Sequence, residues 1–232
     1  MRNQVARAAA FPFEDREWLP KIVIGGAIGL ALEALFVGLG FLLSREVALE
    51  VSPLAQAGNF PALGFALRAF QGALTTPQAD PMPEWKRWPE LCLQGLLLFV
   101  LALGYGILPL LLVSSGFTLL VRGGVELVLG LVMMLLGMLA GLTLGFFHPM
   151  AVARYLEERR IEAAFHPAVV WSRIRKVLAE YVAAYLFSIG SFIVAGLIAT
   201  IPVLGALVWP FLTFYLLVVG ARLFGGVCSA AA

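Results

Sequence analysis

The chain has 232 residues, 61% of them hydrophobic and only 13% charged, with a formal net charge of +2. Soluble domains carry about 25% charged residues, so this chain has roughly half the charge needed to clothe a water-facing surface, and its hydrophobicity excludes disorder. No basic stripe or reading motif points to nucleic acid, and the two cysteines, Cys92 and Cys228, form neither a disulfide nor a zinc framework.

Composition therefore predicts an all-α integral membrane protein forming a single membrane domain. A spanning helix takes about 20 mostly apolar residues. After a charged interfacial segment at 1–19, runs at 20–44, 91–113, 123–147, 181–201 and 203–224 meet that length. Pro210 interrupts the last, which lipid tolerates where neighbours satisfy the freed carbonyl. The run at 51–74 contains Gln56, Asn59 and Arg68, and charge asymmetry decides it. Lys and Arg cluster before residue 22 and again between 148 and 180, and the positive-inside rule places both clusters in the cytoplasm. Only a crossing through 51–74 achieves this; it leaves Arg45 and Arg122 outside and raises the count from five spans to six. Both termini, including the tail at 225–232, then face the cytoplasm. The first run is too long for a cleavable signal and is expected to remain as a helix.

Residues 148–180 read as amphipathic helices at 151–165 and 166–180, lying in the headgroup region with basic side chains toward anionic lipid. Trp18, Trp85, Trp88 and Trp171 fall beside span ends, where an indole is favoured. A faint echo also relates the two halves. Ala9-Ala10-Phe11-Pro12 precedes Trp18, and Ala163-Ala164-Phe165-His166-Pro167 precedes Trp171; Pro61–Gly64 and Pro202–Gly205 share the pattern Pro-x-Leu-Gly. A parallel internal repeat leaves such traces, and so does chance similarity between apolar segments.

A family resemblance rests on several of these landmarks. They are Phe11-Pro12-Phe13-Glu14-Asp15 with Trp18 and Lys21, then Met82-Pro83-Glu84-Trp85 with Trp88 and Gly95. Further on come Pro149 with Ala153-Arg154-Tyr155 and Glu157, Ala164-Phe165, and Ile201-Pro202-Val203-Leu204-Gly205. Pro210-Phe211, Phe214-Tyr215 and Ala221-Arg222 complete the set. Over nearly its whole length the chain resembles an uncharacterised bacterial and archaeal membrane-protein family, domain of unknown function 4013. The resemblance implies a multi-span domain of a prokaryotic inner membrane and brings no established reaction or ligand. Lys86-Arg87 departs from it, standing where such proteins tend to be acidic.

Gly25, Gly29 and Glu33 recur at four-residue spacing on one face of the first span, and a small-xxx-small stripe lets a second helix approach closely. Glu33, near mid-membrane, reads either as a proton, cation or substrate site or as a hydrogen-bonding group for a neighbouring helix, with Arg68 as partner. Glu126 shares a face with Gly130, Gly137, Gly141 and Gly145, a packing stripe for a helix of this or another chain; Glu126 itself also reads as a solvated neighbour of Arg122. His148 and His166 sit in Phe-His-Pro triplets, where two imidazoles suit a metal or haem-type ring but also simply mark helix ends. No catalytic residue, metal or cofactor is expected. The expected function is a non-catalytic scaffold or accessory subunit that packs with other membrane proteins, with itself or with lipid. The alternative is a small transporter or channel-like protein using Glu33.

Overall fold

The computed structural model describes residues 2–43, 58–76 and 81–231. Arg45 and the first residues of the 51–74 run, Gln56 among them, lie outside the described residues. Among the described residues every regular element is an α-helix. They are α1 (Arg2–Glu14), α2 (Trp18–Leu43), α3 (Phe60–Thr75), α4 (Trp88–Arg122), α5 (Glu126–Glu158), α6 (Ile161–Ala164), α7 (Pro167–Lys176), α8 (Leu178–Ala199) and α9 (Leu204–Ser229). Five of them, α2, α4, α5, α8 and α9, are long and apolar enough to cross a membrane. The crossing expected over 51–74 is represented by α3, whose 16 residues span about 24 Å, short of the roughly 30 Å hydrocarbon layer.

The chain divides into two compact units, Met1–Phe99 with Ile174–Ala232, and Val100–Arg173. In the first, α3 is the enclosed element. The Asn59 side chain accepts from the Ala62 N–H at 3.3 Å and Pro61 needs no donor in the first turn, so the helix starts cleanly. Ala62, Gly64, Phe65, Ala66, Leu67, Ala69, Phe70 and Ala73 are all buried. The core joins Phe65 and Ala69 of α3 to Phe11, Ile22, Met82, Leu91, Phe214 and Val218. Two glycines set the α3–α4 crossing: a methyl on Gly95 would overlap the Phe60 carbonyl, and one on Gly64 the Leu91 carbonyl. On the opposite partner, a Cβ at Gly225 of α9 would lie 2.5 Å from the Phe70 carbonyl.

These contacts also fix direction. Phe60 meets Gly95 while Arg68 reaches Lys86 and Glu90, so α3 runs antiparallel to α4 and carries the chain back toward the Lys21 end. The two Pro-x-Leu-Gly segments both open helices, yet their surroundings differ. Pro61 lies in the first turn of α3, whereas Val203 is the centre of a tight γ-turn, φ 63 and ψ −58, closed by the Leu204 N–H donating to the Pro202 carbonyl at 2.6 Å. A β-branched residue in that region is strained.

In the second unit, α4 and α5 form a hairpin turned by Gly123 and Gly124, whose φ values of 73 and 65 suit glycine. Their backbones come close at Gly116 and Gly130, each 2.7 Å from the other's carbonyl oxygen once a Cβ is placed there, and again where Gly137 meets Val113. Leu110, Leu111, Val128, Leu131, Leu135 and Met138 remain exposed on the outer faces, as expected of residues whose solvent is lipid.

One expected boundary needs correction. The helix that carries the span predicted at 123–147 continues to Glu158, so His148 and Pro149 lie inside α5 and do not end it. Met150 through Leu156 are buried, so 151–165 is not a separate headgroup helix. Burial of that apolar turn outweighs the single backbone bond that Pro149 removes. The helix ends instead at Arg159, left-handed at φ 55, whose N–H donates to the Tyr155 carbonyl at 2.8 Å. Only α7 keeps the expected amphipathic form, with Val170 and Ile174 buried while Trp171 and Arg175 are exposed.

Substituting Gly95 by alanine should lower stability by about 1–3 kcal/mol, the range for overpacking, because α4 must move off the Phe60 carbonyl of α3. Gly190→Ala, where a methyl meets open space, should be neutral or slightly stabilising. Thermal unfolding of the two variants in one mild detergent measures the contrast.

Candidate functional site

The most polar construction in the first unit is built from the motif residues. Lys21, one turn into α2, donates from Nζ to Asp15 Oδ2 at 2.7 Å and to the Met82 carbonyl at 3.0 Å. Both side chains are less than a tenth exposed. Asp15 Oδ1 also accepts from the Glu17 N–H at 2.7 Å, and the Lys21 carbonyl accepts from Trp85 Nε1 at 3.0 Å. Burial by itself raises the Asp15 pKa, but the Lys21 ammonium and the surrounding N–H donors outweigh it and leave the carboxyl below its ordinary 3.8.

Aromatic rings close over this pair. Trp85 stacks on Phe65 at 4.6 Å and on Trp88 at 5.3 Å, and Phe13 meets Trp18 edge-on at 4.8 Å. From α9, the Tyr215 hydroxyl donates to the Ala9 carbonyl at 2.8 Å, and the Arg222 guanidinium lies 4.6 Å above the Phe11 ring. Beside them Arg68 donates to Gln94 Oε1 at 2.9 Å and the Lys86 carbonyl at 3.1 Å, and pairs with Glu90 at 3.3 Å. Segments far apart in sequence thus meet at one end of this unit: α1, the head of α2, residues 82–90 and the C-terminal half of α9.

The other candidates fall in different places. Gly25 packs on the Phe214 ring and Gly29 is buried. Glu33 is half-buried on α2, twelve residues beyond Lys21, or about 18 Å along the axis. The ion pair of Arg68 is the one with Glu90. Glu126 pairs loosely with Arg122 at 3.8 Å, both side chains about half exposed. Of the glycine stripe, Gly130 and Gly137 pack against α4 of the same chain, while Gly141 and Gly145 border a cavity with His148. His166 is exposed, its Nδ1 2.7 Å from the Glu162 carbonyl. Among the described residues no group of three or more His, Cys, Asp or Glu stands ready for a metal.

Sequence reasoning placed Asp15 and Lys21 in one motif but missed their pairing. Asp15 precedes the helix that holds Lys21, so the pair lies across a helix start, where no single period relates two side chains. It also missed Gly64, Gly116 and Gly225, because their partners are backbone carbonyls that no pattern reveals.

Five membrane-length apolar helices, with a short one enclosed among those of the first unit, define a multi-pass helical membrane protein. Residues 53–204 match the family described as Protein of unknown function (DUF4013), more than half of the chain, and the chain belongs to that family. No curated protein and no solved structure matches it. The match does not include the motifs read at 11–21 and 210–222. Packing joins these outer motifs to Met82 and Trp85 within the match.

Lys21→Met should cost about 3 kcal/mol, as breaking one side of a buried ion pair does, while Lys21→Met with Asp15→Leu should recover most of that loss. Because the folded Asp15 pKa is depressed, its stabilisation is fully present above pH 3.8 and disappears as pH falls through the lower folded value. Thermal unfolding of wild type and Asp15→Asn should therefore differ at pH 7 and converge toward pH 3.

Proposed function

We propose that this protein is a non-catalytic scaffold or accessory subunit of a prokaryotic inner membrane, packing with lipid and with other membrane proteins. The observation that carries this reading is the state of the motif residues. Asp15, Lys21, Met82 and Trp85 hold helix ends together, a structural use of residues from the motifs at 11–21 and 82–85. A groove of about 480 Å³ between α8 and α9, bordered by Phe187, Val194, Ile198, Leu212 and Leu216, suits an acyl chain, and the exposed basic residues of α7 suit anionic headgroups.

A small transporter is the competing reading. It draws on the half-buried Glu33 and on Pro109 and Pro210 inside membrane-length helices, since broken helices are common at transport sites.

Native mass measurement after purification in mild detergent separates the two: the scaffold reading expects a stoichiometric complex larger than one chain. Recovery of a lone chain, together with proton-coupled uptake in liposomes that Glu33→Gln abolishes, would establish the transporter instead. The reading also places α1, the end of α5 and the C-terminus in the cytoplasm. A cysteine introduced at Arg122 should react with an impermeant maleimide applied from outside, and one at Arg159 should not.

A further inference from the structure

The second unit contains a cavity of about 190 Å³ at the proline breaks of α4 and α5, bordered by Tyr105, Gly106 and Pro109 on one helix and Gly141, Gly145 and His148 on the other. His148 Nε2 is fully buried and has no hydrogen-bond partner. The nearby Tyr105 hydroxyl has no proton to offer it, because that hydroxyl donates to the Ala164 carbonyl at 2.5 Å while its ring stacks on Phe165 at 5.5 Å. Tyr105 and His148 meet only ring edge to face, 6.0 Å between centroids.

The backbone adds acceptors to the same walls. Pro109 has no N–H to give the Tyr105 carbonyl, and Pro149 has none for the Gly145 carbonyl, so both lose their helical donors. The bordering residues named above include no carboxylate and no ammonium, so nothing there neutralises a charged guest. An acyl chain filling the space would leave the imidazole nitrogen dry, at the desolvation cost of an unmade hydrogen bond. The occupant that meets these conditions is neutral, mostly apolar and equipped with a donor. Size agrees, since a cavity of about 150 Å³ admits benzene.

We propose that this cavity is a binding site for a neutral, membrane-dissolved molecule of about phenol size bearing one hydroxyl, which donates to His148 Nε2. The proposal is independent of the scaffold reading. With only two histidines in the chain, full-length protein labelled with ¹⁵N-histidine in phosphatidylcholine nanodiscs gives two sets of imidazole signals, assigned by a His166→Gln variant. Titration with 4-fluorophenol should displace the His148 acceptor nitrogen saturably and leave His166 in place. Fluorobenzene, which lacks the donor, should bind about ten- to a hundredfold more weakly.

Gly106 provides the control, because a Cβ there meets open space. Gly106→Leu should fold normally, plug the cavity and abolish the displacement. Gly141→Val, whose Cβ meets Pro109 at 3.6 Å, is a second plug with the same expected loss. The proposal is overturned if the displacement fails to saturate, if His166 moves equally, if fluorobenzene competes as well as the phenol, or if a folded plug variant still binds.

Discussion

A lysine buried one turn into a membrane-length helix has to be neutralised where it stands, because its ammonium is covered by protein and an unpaired buried charge is costly. Lys21 meets that requirement with the Asp15 carboxylate on one side and the Met82 carbonyl on the other. Its own carbonyl then takes the Trp85 indole N–H. These bonds tie two segments, the stretch after α1 and residues 82–85, to the head of α2. In a medium of low dielectric such bonds are strong, and leaving one unmade is expensive. The aromatic cluster and the Tyr215 and Arg222 contacts from α9 are arranged around this fixed point.

With that end fixed, the remaining order comes from close approach. Lipid tails are as apolar as leucine, so helices in a membrane gain little from hiding side chains and much from van der Waals contact. Gly64, Gly95 and Gly225 let α4 and α9 reach the backbone of α3, and Gly116 and Gly130 do the same for the α4–α5 hairpin. Enclosure explains how α3 keeps Arg68 at its partly covered edge: the guanidinium is provided for by Gln94, the Lys86 carbonyl and Glu90.

The hairpin shows the opposite tendency farther along. Gly106, Gly141 and Gly145 also remove side-chain bulk, but there the helices carry prolines and a cavity remains among the described residues. The same residue type therefore yields tight contact at Gly116 and Gly130 and a cavity beside His148. The difference lies in what stands opposite, a property of the partner helix and not of the stripe.

Apolar run length and the sparsity of charge were enough to read the helical membrane class, because lipid leaves the backbone few alternatives. Charge asymmetry pointed to a sixth crossing between α2 and α4; α3 runs back toward the Lys21 end, but it is not among the five helices of membrane length. The glycine stripe, too, was visible as a pattern. Pairing was not. That Asp15 holds Lys21, that Arg68 pairs with Glu90, that Gly130 meets Gly116, and that α5 continues through Pro149 were all decided by tertiary packing. Periodicity records which face of a helix is apolar or small, a local property carried by each segment. Which face meets which depends on distances between residues remote in sequence, and only the folded chain sets those.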